Sequence, residues 1–169
     1  MFRIKEEEIV NSHTYFRKLE SVYFMFISIP LAIFIYTYFT DNKPNELPPE
    51  PMNIPQWTLT LVIVTSLVLL FLAYKNFKKQ VNRICGTVEG VKVKMSNYYT
   101  ANVRLYALIE LVALFWTVMY WETHINAFAV LFGIHIAFIS LQRNTPQRMG
   151  NHLRFSKEIY DKIRKGEEL

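Results

Sequence analysis

Two ionisable residues, Glu110 and His135, lie inside long apolar stretches of this sequence. A carboxyl group and an imidazole can together accept and relay a proton near neutral pH. An ionisable side chain inside a membrane-spanning segment is energetically unfavourable, so it is a functional-site hypothesis by default. The first questions are therefore whether these stretches cross a membrane and whether the two side chains meet.

The apolar residues, 51% of the chain, gather in four blocks instead of following the period of a soluble helix or strand. The first two blocks contain no charged residue, and Glu110 and His135 interrupt the other two. At about 1.5 Å rise per residue, blocks of this length cross most of a hydrocarbon core about 30 Å thick. We therefore predict an all-α integral membrane protein with four transmembrane helices as two hairpins, at about 21–39, 57–74, 105–121 and 124–141.

The positive charges are distributed unevenly along the chain. Eighteen of the nineteen Lys and Arg residues fall within 1–20, 75–104 and 142–169, and the other, Lys43, lies in the loop 40–56. Because cytoplasmic segments of membrane proteins are enriched in Lys and Arg, both termini and the central loop are expected in the cytoplasm. Topology and anionic lipid at the cytoplasmic face account for the net charge of +5, so nucleic acid is not an expected partner. The expected location is a plasma (inner) membrane, as a multi-pass protein.

This topology divides the chain into three parts. Residues 1–20 form a cytoplasmic N-terminal amphipathic segment, 21–141 the four-helix transmembrane domain, and 142–169 a basic cytoplasmic tail with a terminal helix. The loop 40–56 contains five prolines and is expected to be extended.

Local signals predict structure outside the spans. Ser156 is expected to cap a short amphipathic helix at Lys157–Lys165, which the following glycine ends. After the last span, Thr145-Pro146 is expected to break the helix. Alternating residues in Thr87–Met95 predict a short strand-like or interfacial segment, and the third long helix is expected to start just after it.

Glu110 and His135 are expected at the same depth on neighbouring antiparallel helices. With the outer turn at about Glu122-Thr123, both residues lie roughly 18–20 Å below it at helical rise. Small or polar residues share a face with Glu110 and also flank His135, which favours close helix packing. We therefore expect the two side chains to face inward and touch. Polar residues at similar depth complete a candidate proton or ion site, which comprises Glu110, His135, Ser28, Ser66, Thr117 and Tyr106.

Three interpretations of this site remain open at the level of sequence. It is a proton or cation site that opens to the cytoplasm, a buried hydrogen bond that sets the register of two helices, or a contact between subunits.

Basic residues beside the predicted spans form a second candidate surface. Their charge suits both the negative C-terminal end of a helix and the phosphates of anionic lipid. The ordinary bias of positive charge toward the cytoplasm explains them equally well. The candidate contacts for anionic lipid or a partner are Lys75, Lys78, Lys79, Arg83, Arg143 and Arg148.

Catalytic motifs are missing from the sequence. It contains no Gly-rich phosphate loop, no HExxH and no nucleophile elbow, and the single cysteine, Cys85, cannot form an internal disulfide. We expect no enzymatic activity, catalytic residue, metal or cofactor. The leading hypothesis is an accessory or scaffolding subunit of a larger membrane assembly, in contact with other membrane protein subunits or with its own copies. The alternative is a homo-oligomeric channel or a proton-coupled transporter that uses an intramembrane Glu110/His135 pair.

Overall fold

All regular structure in the described part of the chain is helical. The computed structural model describes residues 12–41 and 50–167. Six helices follow one another in these ranges: α1 Ser12–Asp41, α2 Gln56–Cys85, α3 Val91–Thr123, α4 Asn126–Ser140, α5 Pro146–Leu153 and α6 Lys157–Lys165. The predicted all-α class is therefore confirmed.

Three of these helices, α1 to α3, are long and apolar enough to cross a membrane. Each has at least 30 residues, or about 45 Å at helical rise, so each exceeds a hydrocarbon core of about 30 Å. The fourth helix, α4, has only 15 residues and is shorter than the predicted span 124–141. Among the described residues, three helices are thus compatible with membrane spans.

The turn between α3 and α4 lies two residues later than the sequence predicts. Helix α3 continues through Thr123, whose hydroxyl donates to the Met119 carbonyl and accepts a hydrogen bond from the Ile125 amide. His124 then adopts a left-handed backbone with φ of 52°. Its ring nitrogen Nδ1 lies 3.2 Å from the Asp41 carboxylate at the end of α1. These contacts hold the chain out of helical geometry until Asn126.

The strand-like segment predicted at Thr87–Met95 is wrong. Helix α3 already begins at Val91, and no strand occurs within the described ranges. The alternation is only a few residues long, whereas a buried helical stripe continues beyond it at three- and four-residue spacing. This stripe consists of Met95, Tyr98, Tyr99, Asn102 and Tyr106. Burial of the longer helical face outweighs the short alternation.

The C-terminal region contains one predicted helix and one unpredicted helix. Helix α6 has the expected bounds, with the Ser156 hydroxyl accepting from the Ile159 amide and Gly166 at φ of 77°. Thr145-Pro146, predicted only to break a helix, also starts α5. The Thr145 hydroxyl accepts from the Arg148 amide, and proline suits the first helical position because it lacks an N–H to satisfy.

Two sequence predictions fall partly outside the described residues. Of the amphipathic segment 1–20, residues 12–20 belong to α1 and the remainder lies outside the description. Of the extended outer loop, residues 42–49 lie outside it as well. In the described part of that loop, the Met52 amide donates to the Thr123 carbonyl.

The chain divides into two compact units. The basic unit comprises described residues 12–24, 74–106 and 143–167, and it contains every Lys and Arg in the described ranges. The apolar unit comprises 25–41, 50–73 and 107–142.

Each unit has its own core. In the apolar unit the core consists of Val112, Ala113, Trp116, Tyr120, Phe128 and Phe132. The Phe34 and Phe132 rings stack there with centroids 4.1 Å apart. In the basic unit the most deeply buried side chains are Tyr15, Leu19, Met95, Tyr98 and Met149.

Candidate functional site

His135 is buried in the apolar unit and joins α4 to α3. Its ring nitrogen Nε2 lies 2.8 Å from the carbonyl oxygen of Ile109. Because a carbonyl oxygen only accepts hydrogen bonds, Nε2 carries the hydrogen in this pair. The imidazole belongs to a buried stripe of α4 that also contains Phe128, Phe132 and Ile139. His135 is therefore a fixed packing contact between the two helices.

Glu110, the next residue along α3, does not take part in this contact. Its side chain is partly exposed, between the buried Ile109 and Leu111, which is 63% exposed. Glu110 forms no hydrogen bond or ion pair with any residue that the structure describes. Within the described residues, His135 thus has a backbone partner in place of Glu110, and the Glu110 carboxyl group has none.

The hydroxyl groups proposed to complete the proton site are occupied locally or exposed. Ser66 donates to the Val62 carbonyl at 2.9 Å, and Thr117 donates to the Ala113 carbonyl at 3.1 Å. Hydroxyls in transmembrane helices commonly bond back to their own helix in this way. Ser28 lies exposed on α1. Within residues 12–41 and 50–167, these three hydroxyls form no hydrogen bond to Glu110 or His135.

Tyr106, the last candidate for that site, belongs instead to a hydrogen-bond network in the basic unit. Asn144 Nδ2 donates to Asn102 Oδ1 at 2.7 Å and also to the Tyr106 hydroxyl. The Tyr98 hydroxyl donates to Asn144 Oδ1 at 3.0 Å, and the Tyr98 hydroxyl oxygen lies 2.9 Å from His152 Nδ1. Since Tyr98 has one hydroxyl hydrogen, His152 Nδ1 donates when Tyr98 donates to Asn144. The network ties α3 to α5 and to the segment between α4 and α5.

The environment of His152 favours its neutral form. Burial lowers the pKa of His152, and the positive charges of Arg148 and Lys78 lower this pKa further. A neutral imidazole has one N–H and one acceptor nitrogen, so it can hydrogen bond with Tyr98 in either direction.

Sequence reasoning missed most of this network. Tyr98, Asn102 and Tyr106 follow one another at four-residue spacing, which places them on one helix face and was a usable signal. Asn144 and His152 are separated from that face by 38 or more positions. No local pattern links them to it.

The predicted basic contacts have different environments. Lys75, Lys78, Lys79 and Arg83 are all exposed on α2. Arg143 is engaged within the basic unit, where its guanidinium pairs with the Glu20 carboxylate and lies 5.9 Å from the centre of the Phe24 ring.

Arg148 is half-buried in α5, near the His152 imidazole. Some cations of this surface are therefore exposed on α2, whereas Arg143 is paired with a carboxylate of the same unit.

No protein-family model matches this chain, and neither a curated protein nor a solved structure matches it. Its function is inferred below from the arrangement of its residues.

Proposed function

We propose that this chain is an accessory or scaffolding subunit of a larger membrane assembly, and that Glu110 contacts another subunit inside the membrane. The observation that carries the proposal is a carboxyl group on an apolar helix face, with no partner among the described residues. A carboxyl facing lipid is unfavourable by about 3 kcal/mol near the centre of a transmembrane helix. A hydrogen-bond donor from a neighbouring chain would remove that penalty.

The surface beside Glu110 is suited to a second helix. An exposed apolar stripe runs along α3 at three- and four-residue spacing and consists of Leu108, Leu111, Phe115 and Val118. Apolar side chains alone do not distinguish lipid from a partner helix, because lipid tails are equally apolar. Glu110 at the edge of the stripe favours a partner helix over lipid, because only a polar group can hydrogen bond to its carboxyl group. The expected partner is a transmembrane helix that presents a hydrogen-bond donor or a cation at this depth.

For topology we propose four spans with both termini in the cytoplasm. The confinement of the described Lys and Arg residues to the basic unit supports this orientation. Helix α4 reaches about 22 Å at helical rise, and its short flanking segments or a local thinning of the bilayer would supply the remainder. The proposed location is a plasma (inner) membrane, with anionic lipid at the basic face.

The alternative, a channel or proton-coupled transporter, receives less support from these contacts. The Nε2 hydrogen of His135 is committed to the Ile109 carbonyl, and the Ser66 and Thr117 hydroxyls bond to their own helices. A proton path through these groups would require each of them to exchange its partner.

Purification from native membranes in a mild detergent tests the subunit proposal. The wild-type protein is expected to co-purify with unrelated chains at fixed stoichiometry. Glu110→Leu is expected to lose them, and Glu110→Gln to retain a fraction, because the amide can still hydrogen bond. Glu122→Gln is the matched control, since it removes a carboxyl of the same helix that is exposed near the outer turn.

Two results would overturn the proposal. One is a wild-type protein that purifies as a monomer with no other chain. The other is a homo-oligomer without other chains, whose ion or proton flux in liposomes is abolished by Glu110→Gln and His135→Ala. That second result would establish the channel or transporter instead.

A further inference from the structure

A small cavity in the basic unit lies between α2 and the C-terminal end of α5. Its volume is about 140 Å³. Its polar lining consists of Tyr74, Lys78, Asn82, Asn151, His152 and Arg154. Lys78 and Asn82 are one turn apart on α2, so both side chains project from one face of that helix toward the cavity.

The described residues give this cavity a positive charge. Among them, the lining includes Lys78 and Arg154 and no aspartate or glutamate. Lys78 and Arg154 form no ion pair with any residue in the described ranges. Elsewhere in the basic unit, by contrast, Arg143 pairs with Glu20. Two cations beside neutral amide donors are suited to an anion with several acceptor oxygens, such as a phosphate group.

The residue type at the end of α5 accords with a ligand site. Arg154 caps α5 in the left-handed conformation, with φ of 51° and ψ of 45°. Glycine is the usual residue there, because a side chain destabilises this conformation by about 1 kcal/mol. A left-handed cap is a common helix end, but arginine is an uncommon residue in it. A charged side chain beside the cavity gives a reason for arginine at a position where glycine would be more stable.

The position of the cavity along α2 indicates the source of the phosphate. Tyr74 is the last residue of the predicted second span. At helical rise, Lys78 lies about 6 Å beyond Tyr74, within a headgroup layer of about 5–8 Å on each side of the core, and Asn82 lies about 12 Å beyond Tyr74, just outside that layer. A phosphate that is anchored in the bilayer would reach the cavity from its membrane side.

We propose that this cavity binds the phosphate group of an anionic phospholipid of the cytoplasmic leaflet. Lys78 and Arg154 supply the charged donors, and Asn82 and Asn151 supply neutral ones. The His152 ring closes the side nearest the Tyr98 hydroxyl. The site rests on the proposed depth of the second span, but it shares no residue with the proposed Glu110 contact.

Binding is measured on the purified full-length protein in a neutral detergent, titrated with dioctanoyl phosphatidylglycerol and followed by native mass spectrometry. Dioctanoyl phosphatidylcholine, with the same chains and no net charge, is the lipid control. Glycerol 3-phosphate tests for a soluble phosphate ligand. We expect phosphatidylglycerol to bind about tenfold more tightly than either, the effect of one charge-assisted hydrogen bond or more.

Three single substitutions locate the binding. Lys78→Gln and Arg154→Gly are each expected to weaken phosphatidylglycerol binding by about tenfold. Glycine is the preferred residue at a left-handed cap, so Arg154→Gly keeps the fold and any loss is due to the missing guanidinium group. Lys79→Gln removes an adjacent exposed cation that does not line the cavity, and it is expected to change binding by less than about twofold.

The lipid site is refuted if phosphatidylcholine binds as tightly as phosphatidylglycerol. It is also refuted if Lys79→Gln weakens binding as much as Lys78→Gln does, because the charge would then act as a diffuse surface. Equal binding of glycerol 3-phosphate would overturn the lipid assignment in favour of a soluble phosphate. Glu110→Leu should bind phosphatidylglycerol like the wild type, so failure of the subunit proposal would be recognised separately.

Discussion

The apolar unit and the basic unit satisfy their buried polar side chains in different ways. In the apolar unit, the hydroxyls of Thr37, Ser66 and Thr117 donate to carbonyls four residues earlier on the same helix. In the basic unit, Tyr98 and Asn144 bond to side chains from other segments of the chain. A hydroxyl that bonds to its own helix keeps its hydrogen bond whether lipid or protein surrounds the helix. A hydrogen-bond network between segments forms only when those segments pack in one particular arrangement. The basic unit is therefore held in a specific arrangement by polar contacts, and the apolar unit by the fit of its rings.

Other polar residues of the apolar unit depart from this pattern, as in the contact between His124 and the Asp41 carboxylate. His135 bonds to the backbone of a neighbouring helix, and Glu110 has no partner in the described part of the chain. The contact of His135 is explained within the unit, whereas the proposed subunit role would supply a partner for Glu110 from another chain.

The largest effect is expected from opening the core of the apolar unit. Trp116 is 2% exposed, and its ring stacks on Phe128 with centroids 5.8 Å apart. Trp116→Ala should lower the free energy of unfolding by about 3 kcal/mol, mainly through the cavity it leaves, because lipid is as apolar as the core. Trp121→Ala on the same helix removes a ring that is 59% exposed and should change little. Equal losses in detergent unfolding experiments would show that ring packing does not hold this unit.

The next largest effect tests the network of the basic unit. Asn144→Leu removes the common partner of Tyr98, Asn102 and Tyr106. Because buried polar groups then remain unpaired, the free energy of unfolding should fall by about 2 kcal/mol. Gln147→Leu, at an exposed position of α5, is the control and should have a minor effect. A loss for Asn144→Leu no larger than the control's would mean that the network adds little to stability.

A smaller effect concerns pH and His152. Its pKa is lowered in the folded protein by burial and by Arg148 and Lys78, whereas an unfolded chain has a histidine pKa of about 6.5. As the pH falls through about 6.5, the unfolded chain therefore binds more protons than the folded one, and stability decreases. Thermal unfolding between about pH 7.5 and 5.5 should show this slope in the wild type and a shallower one in His152→Asn. An unchanged slope in that variant would assign the pH dependence to other groups.

The smallest effect is expected in the apolar unit, at a hydroxyl that bonds to its own helix. Thr117→Val keeps the shape of the side chain and removes a hydrogen bond to the Ala113 carbonyl, which retains its helical partner. The free energy of unfolding should change by less than about 0.5 kcal/mol. A loss as large as that of Asn144→Leu would erase the difference between the two units.

The sequence predicts the features of the structure that depend on composition, and it does not predict how each helix is rotated about its own axis. Apolar blocks predicted the long helices α1 to α3, and Ser156 and Gly166 predicted both ends of α6. Depth along a helix also follows from counting residues. A rotation of one residue, about 100°, separates the buried Ile109 from the partly exposed Glu110, and packing against neighbours sets that angle.

The same limit applies to the basic unit. Four-residue spacing puts Tyr98, Asn102 and Tyr106 on one face of α3, a signal that the sequence analysis did not use. The partners of this face come from a distant segment, and only the folded chain brings them together. Arg154 likewise shows nothing unusual in the sequence, because its left-handed backbone arises from the way α5 ends.

The most direct test of the proposed subunit role compares Glu110→Leu with the wild type in two states, as the isolated chain and in native membranes. If the carboxyl group has no partner within the chain, its removal should stabilise the isolated protein, by about 1 kcal/mol or more, and should release the co-purifying subunits. A Glu110→Leu protein that is less stable in isolation, or that keeps its subunits, would contradict the role proposed for this residue.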